Sequence, residues 1–186
     1  MAAKKLSPMM QQYMDIKEAH QDCILFFRLG DFYEMFFEDA KLVSRELELT
    51  LTGKNCGLEE RAPMCGVPFH SADTYIARLI EKGHKVAICE QTEDPAAAKG
   101  LVKREVIRIV TPGTVLSSNM LKEKENNYIA SIYAGEDSIG LAYCDVSTGE
   151  MNLTTIRGTN QRENLVNEIV KINAREVLVS RETDDK

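Results

Sequence analysis

The chain has 186 residues, 44% hydrophobic and 28% charged, with a formal net charge of −6. This composition excludes a disordered tail, and the longest apolar run, Cys23-Ile24-Leu25-Phe26-Phe27, is far short of the roughly 20 residues that span a bilayer. Residues 1–116 carry 15 basic and 17 acidic side chains and residues 117–186 carry 8 and 12, so neither half is the basic surface that grips DNA unaided through its phosphates.

The start, Met1 to Pro8, is charged and has no apolar stretch after it, so no secretory signal is expected and the cytoplasm is the default location. Ser7-Pro8 opens a first helix, with Ser as N-cap and Pro at the first helical position. Met10, Tyr13, Met14 and Lys17 share one of its faces, and His20-Gln21-Asp22 closes it. Residues 23–29 read as a buried strand and Gly30-Asp31 as a turn, followed by Phe32-Tyr33-Glu34-Met35-Phe36. A second helix is expected over 37–48, with Ala40, Val43 and Leu47 inward. Residues 49–52 alternate like a strand, and 53–57 read as a loop. Residues 63–68, with two prolines and a glycine, are extended or looped.

Ser71 is expected to cap a third helix with the stripe Tyr75, Ile76, Leu79 and Ile80, ended by Gly83. A strand over 85–89, a short helical turn over 94–98 and a strand over 104–110 follow. Thr111-Pro112-Gly113-Thr114 stops the last of these. Interleaved helices and strands predict a mixed α/β domain over 1–116. Polar residues 117–127 read as a linker. Beyond them, strands over 128–133, 139–146 and 150–156 form a meander. A helix over 164–172, with Leu165, Ile169 and Ile172 on one side, leads to a strand over 176–179. The sheet of 128–186 reads as an unfinished domain.

Five cysteines, an odd number without a C-x-x-C, do not predict a disulfide framework. Cys23, Cys89 and Cys144 read as small core residues. Cys56, Cys65 and His70 can be drawn as a zinc site, but their spacing fits no zinc-ligand pattern.

The most informative segment is Arg28 to Phe36, where adjacent aromatics and a carboxylate follow a tight turn. In one reading Phe32 enters the core with Phe26, Phe27, Phe36 and Phe37. In the other it is presented outward as a wedge, since apolar side chains of this kind part a base step from the minor groove and kink the duplex.

Gly30-Asp31-Phe32-Tyr33-Glu34 resembles the Phe-x-Glu element of the MutS mismatch-repair family. Three further blocks follow in the family's order: Ala62-Pro63-Met64-Cys65-Gly66-Val67-Pro68-Phe69-His70, then Val86-Ala87-Ile88-Cys89-Glu90-Gln91, then Arg108-Ile109-Val110-Thr111-Pro112-Gly113-Thr114. The region from Tyr128 resembles the second, connector domain, with a ribonuclease-H-like sheet, through Gly140-Leu141-Ala142 and Asp145-Val146-Ser147-Thr148-Gly149-Glu150. The resemblance implies a mismatch-recognition domain over 1–116 and a truncated connector domain over 128–186.

The family implies that Phe32 stacks on a mispaired or looped-out base in duplex DNA and that Glu34 hydrogen-bonds the same base. A carboxylate beside DNA is unfavourable, so that contact calls for a proton on Glu34 or on the base. Glu34 would also penalise paired DNA that offers no hydrogen bond in return. Asp31 and Tyr33 shape the turn. Met64 either flanks the groove or packs its Pro-bounded loop. Lys99, Lys103, Arg104 and Arg108 form the densest basic stretch, and Arg108 is its candidate DNA contact, against a solvated face as the alternative. The family further implies a bacterial, nucleoid-associated protein, a homodimer around DNA and a MutL-type partner. ATP and Mg are expected in the parent protein.

No catalytic, cofactor or metal site is expected within this chain. Gly53-Lys54 is followed by Asn55, so the phosphate-loop pattern fails and the ATPase must lie in other sequence. The enzyme alternatives are an acidic cluster of Asp31, Glu34, Glu38 and Asp39, or a metal-binding Asp145 with Glu150 nearby. The remaining class is a protein-interaction module without DNA contact, for which the acidic charge speaks.

Overall fold

Short apolar runs separated by turn residues need partners to cover them, and the sequence supplies these as two sheets. The computed structural model describes residues 5–93, 100–116, 121, 125–180 and 183. Two compact units result, Met1–Val110 and Thr111–Lys186.

In the first unit the elements are α1 (Pro8–Glu18), β1 (Cys23–Leu29), β2 (Phe32–Phe36), α2 (Phe37–Leu47), β3 (Thr52–Lys54), β4 (Ala62–Pro68), α3 (Ala72–Glu81), β5 (Lys85–Gln91) and β6 (Arg104–Val110). The strand order is β3-β4-β2-β1-β5-β6. β1 runs parallel to β5, and the other neighbours are antiparallel. Ser7 caps α1 as its sequence signal predicts, its Oγ accepting from the Met10 amide at 3.4 Å.

Period-two alternation gives the sheet two apolar faces. On one, Met10 and Tyr13 of α1 pack with Leu25, Phe27, Phe36, Ala87 and Cys89. Tyr13 stands edge-on to Phe27 and Phe36. The other face is covered by α2 and α3 through Ala40, Val43, Leu47, Ile76 and Leu79. Two charged side chains of this unit are buried, Asp39 and Arg104. Asp39 accepts from the Leu25 amide at 2.9 Å, the Tyr13 hydroxyl at 3.3 Å and Lys17 Nζ at 2.9 Å. That full set of partners is what makes a buried carboxylate tolerable.

Two local expectations are corrected. The alternating residues 49–52 do not form the strand, because α2 ends in a left-handed Glu48 (φ 58°) and pairing with β4 begins only at Thr52. Of the two alternatives for 63–68 the extended one is found, the segment lying within β4 with prolines near its ends. Ser71 stands at the N-cap position of α3, but its side chain makes no capping hydrogen bond. A 3-10 turn, Phe69–Ser71, precedes the helix and leaves Ser71 outside extended geometry, and its hydroxyl donates back to Pro68 O at 3.3 Å.

The second unit contains β7 (Tyr128–Ala134), β8 (Ile139–Asp145), β9 (Glu150–Ile156), α4 (Gln161–Ile172) and β10 (Glu176–Val179). β7, β8 and β9 form the expected meander, and α4 returns the chain to lay β10 parallel beside β7. Helix α4 starts a turn earlier than its apolar stripe, since Gln161-Arg162-Glu163 adds nothing to a hydrophobic period. Thr111-Pro112-Gly113-Thr114 is tied into this unit. The Gly113 amide and the Thr111 hydroxyl both donate to Glu176 Oε2, and Asn127 Nδ2 donates to Pro112 O at 3.0 Å. The turn expected over 94–98 lies outside the described residues, as does most of the 117–127 linker.

Candidate nucleic-acid interface

Gly30 and Asp31 are the two loop residues of the hairpin that joins β1 to β2, with Leu29 opposite Phe32. Gly30 has φ +58°, and Asp31 has no positive φ. A positive φ at the first central position alone is the type II′ pattern, which asks for glycine there. Phe32 is therefore the first residue after the tightest possible connection. It is 47% exposed, while Phe26, Phe27 and Phe36 are wholly buried.

Alternation puts Phe32, Glu34 and Phe36 on the α1 face of the sheet and Tyr33 and Met35 on the other. Phe36 lies under Tyr13, Glu34 is half-buried, and Phe32 lies outward at the strand's open end. On β4 the residues opposite Phe32, Glu34 and Phe36 are Pro68, Gly66 and Met64.

The back of the hairpin is braced. Arg28 Nε donates to Gly30 O and Arg28 Nη1 to Glu90 Oε1 at 3.2 Å. Its guanidinium lies 3.6 Å from the Phe69 ring centre and 5.6 Å from that of Tyr33. The Tyr33 hydroxyl also donates to Glu90, and the Phe69 amide donates to Asp31 O at 2.9 Å. Burial and the neighbouring Glu90 carboxylate push the Tyr33 phenol well above its ordinary value, so it remains a donor. Tyr33 and Asp31 thus serve the turn.

Glu34 has a partner that the sequence did not indicate. Lys54 Nζ lies 2.6 Å from Glu34 Oε2 and 5.8 Å from the Phe36 ring centre. A lysine on β3 reaches a glutamate on β2 only because β4 pairs with both, a register that local sequence does not reveal. Arg28, Glu90 and Phe69 were likewise unsignalled as a group, although Glu90 ending an apolar strand was a weak hint.

The other expected contacts do not gather around Phe32. Met64 is half-buried, packed against the core cluster, and about 13 Å along β4 from Pro68 at strand rise. Arg104 is buried, donating to Arg28 O at 2.7 Å and Gln12 Oε1 at 3.0 Å, with its guanidinium over Phe27. Lys103 pairs with Glu105 at 2.6 Å. Arg108 is exposed on the edge strand β6, but pairing through Ile88 places it on the sheet face opposite Phe32 and Glu34. Lys99 lies outside the described residues.

The enzyme alternatives lose their geometry. Asp39 points into the core, Glu38 pairs with Lys41 on the surface and Glu34 pairs with Lys54. Asp145 is 2% exposed, and both its oxygens are engaged. Ser147 N and Oγ donate to Oδ1 at 2.9 and 2.6 Å, and Asn127 N donates to Oδ2 at 2.8 Å. Burial alone would raise its carboxyl, but these hydrogen bonds outweigh it and hold the group below the usual range. Cys56 belongs to the α1 face, whereas Cys65 donates to Ala40 O on the other, where burial pushes its thiol up to about 11. Among the described residues no group of three or more His, Cys, Asp or Glu side chains could hold a metal ion. Gly53-Lys54 lies in β3 and not ahead of a helix N-terminus, so it does not fit an ATP phosphate. No described helix is long and apolar enough to cross a membrane.

Fold and surface together define a class: a two-unit α/β chain presenting one braced hairpin with an exposed aromatic beside a paired carboxylate. The family models for MutS domain I and MutS domain II match residues 7–119 and 127–186. The DNA mismatch repair protein MutS of Acetivibrio thermocellus is 67% identical over 177 residues, covering 95% of this chain and 20% of that protein. Those of Ruminiclostridium cellulolyticum and Clostridioides difficile are 63% and 59% identical, each again over 95% of this chain, which covers 20% and 18% of them. The chain belongs to the MutS family. It spans about a fifth of the length of these relatives.

Proposed function

We propose that this chain reads mispaired or looped-out bases in duplex DNA during mismatch repair, with residues 1–116 as the recognition domain, 117–127 as a linker and 128–186 as the start of the connector. The observation that carries the reading is the exposure of Phe32 at the tip of a hairpin whose other strand phenylalanines are wholly buried. Leaving a large aromatic in water forgoes its burial energy, and the brace of Arg28, Glu90 and Phe69 holds it there.

Phe32 enters from the minor groove and stacks on the mispaired base. Parting a base step costs a few kcal/mol and least where pairing is already poor. Selectivity then comes from the ease of deforming the duplex, which suits a reader of many different mismatches. Glu34, on the same sheet face two residues on, hydrogen-bonds the same base. Met64 supports this face from the core side. Arg108 serves a phosphate away from the wedge. The acidic chain depends on positive surface elsewhere in the full-length protein. Dimerisation, ATP hydrolysis and a MutL-type partner belong to that whole protein.

The test is the bend itself. Energy transfer between dyes on the two ends of a G·T heteroduplex should rise when the full-length protein binds. The Phe32→Ala protein, at saturating concentration, should leave the duplex straighter. An equal bend with both would remove Phe32 from the mechanism and favour a protein-interaction role for the hairpin.

A further inference from the structure

Glu34 raises a physical difficulty that the wedge reading leaves open. The minor groove concentrates negative potential. An isolated carboxylate within about 10 Å of phosphates, the screening length at ordinary salt, would be repelled by every duplex, matched or not. A group that repels all DNA cannot discriminate well.

We propose that Lys54 is the positioning residue that lets Glu34 act as a short-range reader, an inference that rests on Glu34 meeting the base beside Phe32. The two charges lie 2.6 Å apart, with Glu34 16% and Lys54 33% exposed at the side chain. The pair carries no net charge, so its field falls off faster than that of a lone carboxylate. What remains is felt only at contact. A base that donates a hydrogen bond satisfies the carboxylate, and one that cannot leaves it desolvated and unpaired.

The architecture around the pair fits this role. Gly66 lies opposite Glu34 on β4, and a Cβ there would stand 3.5 Å from Glu34 Cγ and 3.2 Å from Tyr33 O. Its absence leaves the sheet surface open beside the carboxylate. Phe36 lies next to Lys54 on the same face and gives its ammonium an aromatic neighbour. Lys54 therefore reaches Glu34 from the Phe36 side of this face, and Phe32 lies on the other side of Glu34 along the strand.

The experiment is a double-mutant cycle in the full-length protein, with affinities for G·T and matched duplexes measured for native, Lys54→Met, Glu34→Gln and the double variant, and thermal melts as a check on folding. Lys54→Met is expected to weaken heteroduplex binding about 10-fold, and matched binding less, as for a strongly coupled charge pair. In the Glu34→Gln background the same change should cost less than about twofold, because no carboxylate is left to neutralise. Lys54→Arg should retain most of the native ratio. An equal loss in both backgrounds would make Lys54 an independent phosphate contact and overturn the proposal, and so would no loss in either. If Glu34→Gln alone left the heteroduplex-to-matched ratio unchanged, the reading of Glu34 itself would fail, an outcome distinct from failure of Lys54.

Discussion

Glu34 in the six-stranded sheet and Asp145 in the four-stranded one both stand out as acidic residues next to turns, and the structure gives them opposite situations. Asp145 commits both its oxygens to its own chain, taking hydrogen bonds from Ser147 and Asn127 at the β8 corner. Glu34 has one lysine partner, a half-buried position and an exposed phenylalanine two residues away. A carboxylate that satisfies its own backbone organises a fold, whereas one with acceptor capacity left beside an exposed aromatic is placed to meet something else. Asp39, saturated by Leu25, Tyr13 and Lys17, belongs with Asp145.

This contrast predicts which losses appear as stability and which as discrimination. The largest stability effect is expected for Asp39→Ala, about 3 kcal/mol or more, because Lys17 and the Tyr13 hydroxyl lose their buried partner. Chemical denaturation of the full-length protein checks it, and a loss below about 1 kcal/mol would show the cluster is not a structural anchor. Asp145→Ala should cost about 1–3 kcal/mol by leaving the Asn127 and Ser147 amides unpaired. Mismatch discrimination in the surviving folded protein should be unchanged.

The same residue gives a pH dependence. The folded Asp145 carboxyl is held below its unfolded value, so its contribution is present above the unfolded pKa of about 3.9 and is lost as pH falls through the folded one. Acid titration followed by hydrogen exchange in β7 and β8 should therefore show this region losing protection below about pH 4. Asp145→Asn should flatten that dependence, and an identical acid profile would remove the residue from the linkage. At the hairpin, Arg28→Ala should lower heteroduplex preference several-fold with little effect on melting, since it releases the turn and leaves the core intact. The smallest stability effect, under about 0.5 kcal/mol, is expected for Glu34→Gln, whose ion pair is partly exposed, although its discrimination should change.

Local chemistry made much of this legible. The Ser7-Pro8 helix start, the Gly30-Asp31 turn and the meander after Tyr128 depend on neighbours in sequence, and they appear in the structure near their expected positions. The 49–52 strand misled because alternation is only half of a strand and the other half is a partner in register. The basic stretch misled for a related reason: composition counts Arg104 as a surface charge, whereas its guanidinium lies over Phe27 and serves Arg28 O and Gln12. At the hairpin, sequence could propose Phe32 and Glu34 but not Lys54, Arg28 or Glu90. Lys54 and Glu90, the partner that fixes Arg28, reach the hairpin through pairings of β4 with β3 and of β1 with β5, contacts between residues far apart in the chain.

The central claim is that Phe32 is exposed in order to read DNA. Its most direct test is the affinity of the full-length protein for a G·T heteroduplex and for the matched duplex, with and without Phe32→Ala. Loss of one stacked base should weaken heteroduplex binding by about 10- to 100-fold, bring it close to the matched level and leave the salt dependence unchanged. Discrimination that survived the substitution would contradict the account and return the exposed hairpin to some other partner.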